Sequence, residues 1–421
     1  MREHHQKMIT SATSYFMNQY TKKYLHVEKP SLGLPPPPKD KKYLLYVHIP
    51  FCTMFCPYCS FNKFTYTKEA AEVYFKHLRQ EILHVKSLGY DFNYLVIGGG
   101  TPLIDEDELI QTIELAKKLF SIENVSCESD PNHIAPQKVE RLKGLVDRLS
   151  IGVQTFDDAL LKKLGRYEKF GSAQTVYDNI ASMLGILPIV SVDLIFNFPT
   201  QTPEVLMNDL QTLIRLNPEQ TSLYPLMTSS LVKNSVRKSL GEFSLSNELT
   251  YFGMIKETLK TAYPTRHGWS FSKEKDIIID EYIIDNEEYV GVGSGSFSYL
   301  DSTLYLNEFA LDRYAQLIQE KNSAVTKERT FPMNSQMYYR LMVDLFNGTL
   351  SKKRFFAMFG ENIENALSKE LALLKFAKAI KETKDTISTT EFGDYLFVVL
   401  MKEFYMGMDR IRNDARKHLT L

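Results

Sequence analysis

Between Leu44 and Tyr263 the sequence alternates six times between a short β-rich run and a longer amphipathic stretch. The β-rich runs are Leu44 to Phe51, Tyr94 to Ile97, Val125 to Glu128, Arg148 to Val153, Ile189 to Phe196 and Ser222 to Leu226. The stretches that follow them, Ala71 to Leu88, Glu106 to Leu119, Pro136 to Leu145, Ser172 to Leu187, Pro203 to Leu216 and Asn247 to Tyr263, repeat apolar residues at the three- and four-residue spacing of a helix face. A helix between successive strands returns the chain to the same end of the sheet, so the alternation predicts parallel strands. Right-handed crossovers then curl the sheet into an open, partial (β/α)6 barrel of the α/β class, with its working end at the strand C-termini.

The flanks read differently. Residues 1–42 combine a helical stretch with Pro35 to Pro38, a polyproline II connector. Residues 43–270 form the barrel, and 271–330 an extension whose glycine-punctuated segment Tyr289 to Tyr299 reads as a tight turn or bulge. Residues 331–421 suggest a small helical, winged-helix-like cover, with a strand and helix cap at Thr386 to Thr390, a helix from Glu391 to Phe404 and a basic tail from Arg410 to Lys417. With 50 basic and 51 acidic residues in 421, nothing in the charge points to nucleic acid. No run of about 18 uncharged apolar residues is present to span a bilayer, and the N-terminus lacks a signal-like apolar core, so a cytoplasmic protein is expected.

Three of the four cysteines, Cys52, Cys56 and Cys59, stand at C-x3-C-x2-C spacing directly after the first strand. Three thiolates can hold a [4Fe-4S] cluster by three irons and leave the fourth open, whereas a closed zinc site wants a fourth ligand. His48 is the nearest candidate for one, and no second cysteine pair exists. Three clustered cysteines cannot pair evenly as disulfides. Gly98-Gly99-Gly100-Thr101-Pro102 closes the second strand and reads either as a sharp strand-to-helix turn or as backbone that approaches a ligand closely. Glu128, Gln154 and Asp193 fall at the ends of later strands or within them, and Arg166 follows 12 residues after Gln154. Asp193 lies inside an apolar run, where a carboxylate is costly unless partnered.

The C-x3-C-x2-C spacing is that of radical S-adenosylmethionine (SAM) enzymes. The ordered set Tyr46 to Cys52, Gly98 to Pro102, Leu149 to Phe156 and Asp193 to Thr202 resembles the oxygen-independent coproporphyrinogen III oxidase family of that superfamily, over about residues 43 to 300. The resemblance implies that Cys52, Cys56 and Cys59 hold the cluster and that SAM, as one or two molecules, chelates the open iron. It further implies that Gly98, Gly99, Gly100 and Thr101 meet the methionyl end and that Tyr46, Glu128, Gln154, Arg166 and Asp193 contact SAM. Tyr58 would pack on the adenine. A low-potential donor such as flavodoxin or ferredoxin would deliver the electron that splits SAM to a 5'-deoxyadenosyl radical.

Two positions depart from the relatives. The oxidases carry a further cysteine two positions after the third ligand, where this chain has Phe61. The related haem chaperones carry an H-N-x-x-Y-W motif before the glycine-rich turn, where this chain has Asp280 to Asn286. The resemblance thus implies a radical SAM enzyme acting on a tetrapyrrole or similar large substrate, by oxidative decarboxylation or radical methyl transfer. A class C radical SAM methyltransferase on a non-porphyrin substrate and a non-catalytic haem chaperone are the alternatives.

Overall fold

The computed structural model describes residues 3–275, 283–284 and 286–417. An N-terminal helix, α1 (Glu3–Tyr24), precedes the alternating region. That region supplies six strands: β1 (Lys42–Ile49), β2 (Asp91–Gly99), β3 (Asn124–Ser129), β4 (Arg148–Gln154), β5 (Ile189–Phe196) and β6 (Gln220–Pro225). They lie side by side in sequence order and all pair in parallel. Their main crossover helices are α2 (Lys68–Ser87), α3 (Glu106–Leu119), α4 (Ala173–Met183), α5 (Pro203–Leu216) and α6 (Glu248–Leu259).

Strand pleat decides which residues serve the core and which serve the interior, because successive side chains face opposite sides. Tyr43, Leu45, Val47 and Ile49 of β1, Val125 and Cys127 of β3, and Leu149, Ile151 and Val153 of β4 join the main core with Phe75, Leu78 and Ile82 of α2. Each such side chain contributes about 1.5–3 kcal/mol on burial. The alternate residues, Tyr46, His48, Glu128, Ser150, Gln154 and Asp193 among them, line a cavity on the inner face. Thr67 caps α2 by accepting from the Ala70 amide, and Asp105 does the same for α3 through Glu108.

Three expectations are corrected. Tyr289 to Tyr299 is a turn only at its centre. Its flanks are strands, β7 (Tyr289–Val292) and β8 (Phe297–Leu300), and β7 pairs in parallel with β1. Gly291 allows this, since a Cβ there would stand 2.0 Å from the Phe297 carbonyl oxygen. With β9 (Thr303–Asn307), β10 (Val325–Thr330), Lys29–Pro30 and, on the far edge, Ser270–Ser272 and Thr265–His267, the six parallel strands are part of a mixed sheet of 13 strands among the described residues. The predicted Pro136 to Leu145 helix stops at Glu140, because Gly144 takes a left-handed φ of 78° and the chain turns into β4. The basic C-terminal tail is helical: α8 (Glu391–Arg416) runs 12 residues past Phe404.

The C-terminal region comprises α7 (Met333–Phe346), a three-stranded antiparallel sheet and several short helices before α8. α8 crosses α1, where Ser14 and Asn18 donate to Glu403. A Cβ on Gly407 would lie 2.9 Å from Leu25 Cδ2. α8 is also tied to α6 by a wholly buried ion pair: Lys402 Nζ lies 2.6 and 2.8 Å from the Glu248 carboxylate, which also accepts from Tyr395 and Asn197. Removing one partner leaves an uncompensated buried charge. Lys402→Met is therefore expected to lower unfolding free energy by about 3–5 kcal/mol, and the paired Lys402→Met, Glu248→Leu change to recover most of it. Urea denaturation midpoints check this; a cost below 1 kcal/mol for Lys402→Met would contradict it.

Candidate active site

The cysteine loop grows out of β1 and is fastened to the glycine turn that ends β2. Gly100 and Thr101 donate their amides to the carbonyls of Ile49 and Phe51, both at 2.8 Å. Only glycine fits so close a crossing. A Cβ on Gly100 would lie 2.5 Å from the Phe51 carbonyl oxygen and 3.0 Å from Cys52 Sγ, and Gly99 has a φ of 124°. Glu128, at the end of β3, accepts from the Gly99 amide at 3.1 Å, and its carboxylate fills the space beside Gly98. The turn is thus a packing device and a wall of the cysteine site at once.

Cys52, Cys56 and Cys59 all line the cavity. Cys52 is buried, which pushes its thiol up to about 11, and Thr101 Oγ1 lies 3.8 Å from its sulfur. Burial also opposes ionisation of Cys56, but the Arg166 guanidinium, with Nη1 3.4 Å from the sulfur, outweighs that and holds the thiol below its ordinary range. Among the described residues no group of three or more His, Cys, Asp or Glu side chains is drawn together as one metal ion requires. Three thiolates on one cavity can serve three irons of a cube and leave the fourth open. His48 is no fourth ligand. Its Nε2 donates to the Asn62 carbonyl at 2.9 Å, which leaves Nδ1 to accept from Tyr46 Oη at 3.1 Å, and burial lowers its pKa to about 4. Cys127 packs in the core behind β3, away from the other three.

Most of the remaining predicted positions converge on the same cavity: Tyr46, Tyr58, Gln154, Arg166 and Asp193 line it with Glu128, Gly99, Gly100 and Thr101, whereas Gly98 stands behind the Glu128 carboxylate and does not line it. Arg166 donates to Tyr58 Oη at 3.1 Å and to the Gly152 carbonyl, and stacks over Phe170. Its Nε is buried without a partner. Gln154 sits at a φ of 77°, which turns the end of β4 into the mouth. Asp193 accepts from Ser150 and Ser191, and Ser150 in turn accepts from the buried Arg148. An orphaned guanidinium N–H and carboxylates on one cavity fit a ligand that bears a carboxylate, an ammonium and hydroxyls.

Several contributors carry no motif. Arg148 braces the interior by donating to Gln220, Ser126 and Ser150, yet it opens an ordinary β-run. Asp130 accepts from Thr101, His133 and Lys169, and its bonds to the last two outweigh its burial and hold the carboxyl well below the usual range. The far wall of the cavity comes from α1, α7 and α8, including Phe16, Tyr20, Tyr338, Phe404 and Tyr405. The segment 280–286 that was compared with the haem motif lies largely outside the described residues.

Residues 46–213 match the Radical SAM superfamily. The heme chaperone HemW of Bacillus subtilis is 27% identical over 369 residues, which cover 83% of this chain and 96% of that protein. The oxygen-independent coproporphyrinogen III oxidase of Escherichia coli is 27% identical over 315 residues, covering 68% and 67%. The solved structure of the E. coli oxidase HemN, a radical SAM enzyme, superimposes with a TM-score of 0.73 at 22% identity over 86% of this chain and 90% of that one, so the two share a fold. No helix among the described residues is long and apolar enough to cross a membrane. Residues 46–213 therefore match a radical SAM domain, and the chain is similar along much of its length to proteins named as heme chaperone HemW and as oxygen-independent coproporphyrinogen III oxidase.

Proposed function

We propose that this protein is a radical SAM enzyme that acts on a tetrapyrrole or a similarly large conjugated molecule. The observation that carries the reading is one continuous cavity of about 1030 Å³, walled at one end by the cysteines and the converging polar groups and at the other by aromatic side chains of α1, α7 and α8. That volume is at the top of the range of about 300–1,000 Å³ for small-molecule sites, so it suits more than one modest ligand. Cys52, Cys56 and Cys59 would hold the [4Fe-4S] cluster, which with SAM bound supplies one-electron cleavage to a carbon radical. Arg166 would pair with the SAM carboxylate, Glu128 and Asp193 would accept from its ammonium or ribose hydroxyls, and the Gly98 to Thr101 backbone would fix the methionyl end. The aromatic wall would exclude water from the radical and offer flat faces to a flat substrate. A flavodoxin- or ferredoxin-like protein would supply the electron.

A haem-carrying role is the second reading, favoured by the near full-length alignment with HemW. Among the described residues the histidine that lines the cavity is His48, which is engaged at both nitrogens. Phe61 lines the cavity with Arg412 stacked 5.2 Å above its ring, and gives this chain an aromatic surface where the oxidases have a thiol.

Two experiments separate these readings. Anaerobically reconstituted protein, given SAM and reductant, is expected to release 5'-deoxyadenosine; S-adenosylhomocysteine beside it marks methyl transfer and carbon dioxide marks decarboxylation. No cleavage, together with stoichiometric haem that survives gel filtration, would transfer the assignment to haem carriage. The second concerns the binding groups. Arg166→Ala and Asp193→Asn are each expected to weaken SAM by about 1.5–3 kcal/mol, roughly 10- to 150-fold, with little change in Tm. Unchanged affinity with a collapsed Tm would make these groups structural.

A further inference from the structure

We propose that Arg416, in the last turn of α8, is a positioning residue of the cysteine loop, and that its guanidinium supplies the positive charge facing the cluster at Cys59. The inference rests on the radical SAM reading above and concerns a residue outside the domain that carries the cysteines.

The loop leaves Cys59 through Ser60, Phe61 and Asn62, and α8 returns to meet it there. Arg416 Nη1 donates to the Ser60 carbonyl at 3.2 Å and Nε to Asn62 Oδ1 at 3.4 Å, while the guanidinium lies over Phe309. Asn62 is the fixed point of this clasp. Its Nδ2 lies 3.3 Å from the Ser294 carbonyl, 3.1 Å from Ser294 Oγ and 3.2 Å from the Phe309 carbonyl, and its own carbonyl accepts from His48. The turn between β7 and β8 is shaped to receive it: Gly295 has a φ of 76°, and a Cβ there would stand 2.7 Å from Asn62 Nδ2. The exit of the cysteine loop is therefore held between β1, the glycine-rich turn and the C-terminal helix.

The clasp leaves a charge unanswered. Among the described residues no carboxylate lies within ion-pair distance of Arg416, although Arg412 one turn earlier is paired with Asp409 at 2.6 Å. Arg416 Nη2 is buried without a hydrogen-bond partner. Burial and the neighbouring charge of Arg412 lower its pKa to about 10 against the smaller opposing pull of Cys59 and Asp409, which still leaves it a cation at neutral pH. The negative end of the α8 dipole answers only part of that charge. A cube held by three thiolates is an anion, and becomes more so on reduction, so a guanidinium beside it favours the reduced state. Arg416 would thus order the loop through two carbonyl-type acceptors and raise the cluster's reduction potential through its charge.

The test uses full-length protein, reconstituted anaerobically, with midpoint potentials from EPR-monitored titration, iron and sulfide content, and melting of the cluster-free form. Arg416→Gln is expected to shift the midpoint to lower potential, or to lose the cluster while melting as the parent does. Arg416→Lys, which keeps the charge and loses the fork, should recover most of the potential. An unchanged midpoint in Arg416→Gln with full iron content would overturn the inference and leave the radical SAM reading standing. Loss of the cluster that Arg416→Lys restores along with the parent's potential would support it even if Arg416→Gln melts low. Parent protein that takes up no cluster would overturn both.

Discussion

The crossing of the Gly98 to Thr101 turn over the backbone of Phe51 sets where everything else at the barrel mouth can stand. Two amide-to-carbonyl bonds of 2.8 Å hold the end of β2 against the start of the cysteine loop, and Gly100 has no room for a side chain. Parallel pairing then brings the ends of β3, β4 and β5 alongside one another, with a register shift between Gly152 and Gln154, so that Glu128, Gln154 and Asp193 line one cavity although they lie far apart in sequence. A larger residue at position 100 would separate β2 from the loop and move Cys52 away from Thr101, because the atom it meets is backbone and cannot swing aside.

The cavity at the barrel mouth is walled in part by elements distant in sequence. α1 and α8 pack on one another and present aromatic side chains to the cavity that the barrel leaves uncovered. The buried Glu248–Lys402 pair fixes α8 to the barrel helices near its middle, and Arg416 brings its end back to the cysteine loop. The barrel supplies the polar, cysteine-lined part of the cavity, and α1, α7 and α8 supply much of its aromatic lining.

Much of the fold was legible because a period of two in the strands and of 3.6 in the helices leaves a direct trace in hydrophobicity. The bounds of α3, α5 and β5 coincide with the apolar patterning. β7 and β8 were hidden because Gly291, Gly293 and Gly295 are turn residues by composition, and only the close approach of Phe297 to Gly291 shows why a strand needs glycine there. The helical C-terminus was hidden because Arg410, Arg412 and Arg416 resemble a solvated basic run until α1 and the cysteine loop are seen beside them. Among site residues, those that interrupt an apolar strand or sit in a motif were readable. Arg148, Asp130, Lys169 and Asn62 act through partners far away in sequence, and no local pattern marks them.

The proposed chemistry requires Cys52, Cys56 and Cys59 to hold a cluster with one iron left open to SAM in the cavity. EPR spectra of the anaerobically reduced protein, recorded before and after addition of SAM, test it most directly. The account predicts a [4Fe-4S] signal whose g-values change when SAM binds the open iron. A signal indifferent to saturating SAM, or a protein that carries zinc and no iron after reconstitution, would contradict it.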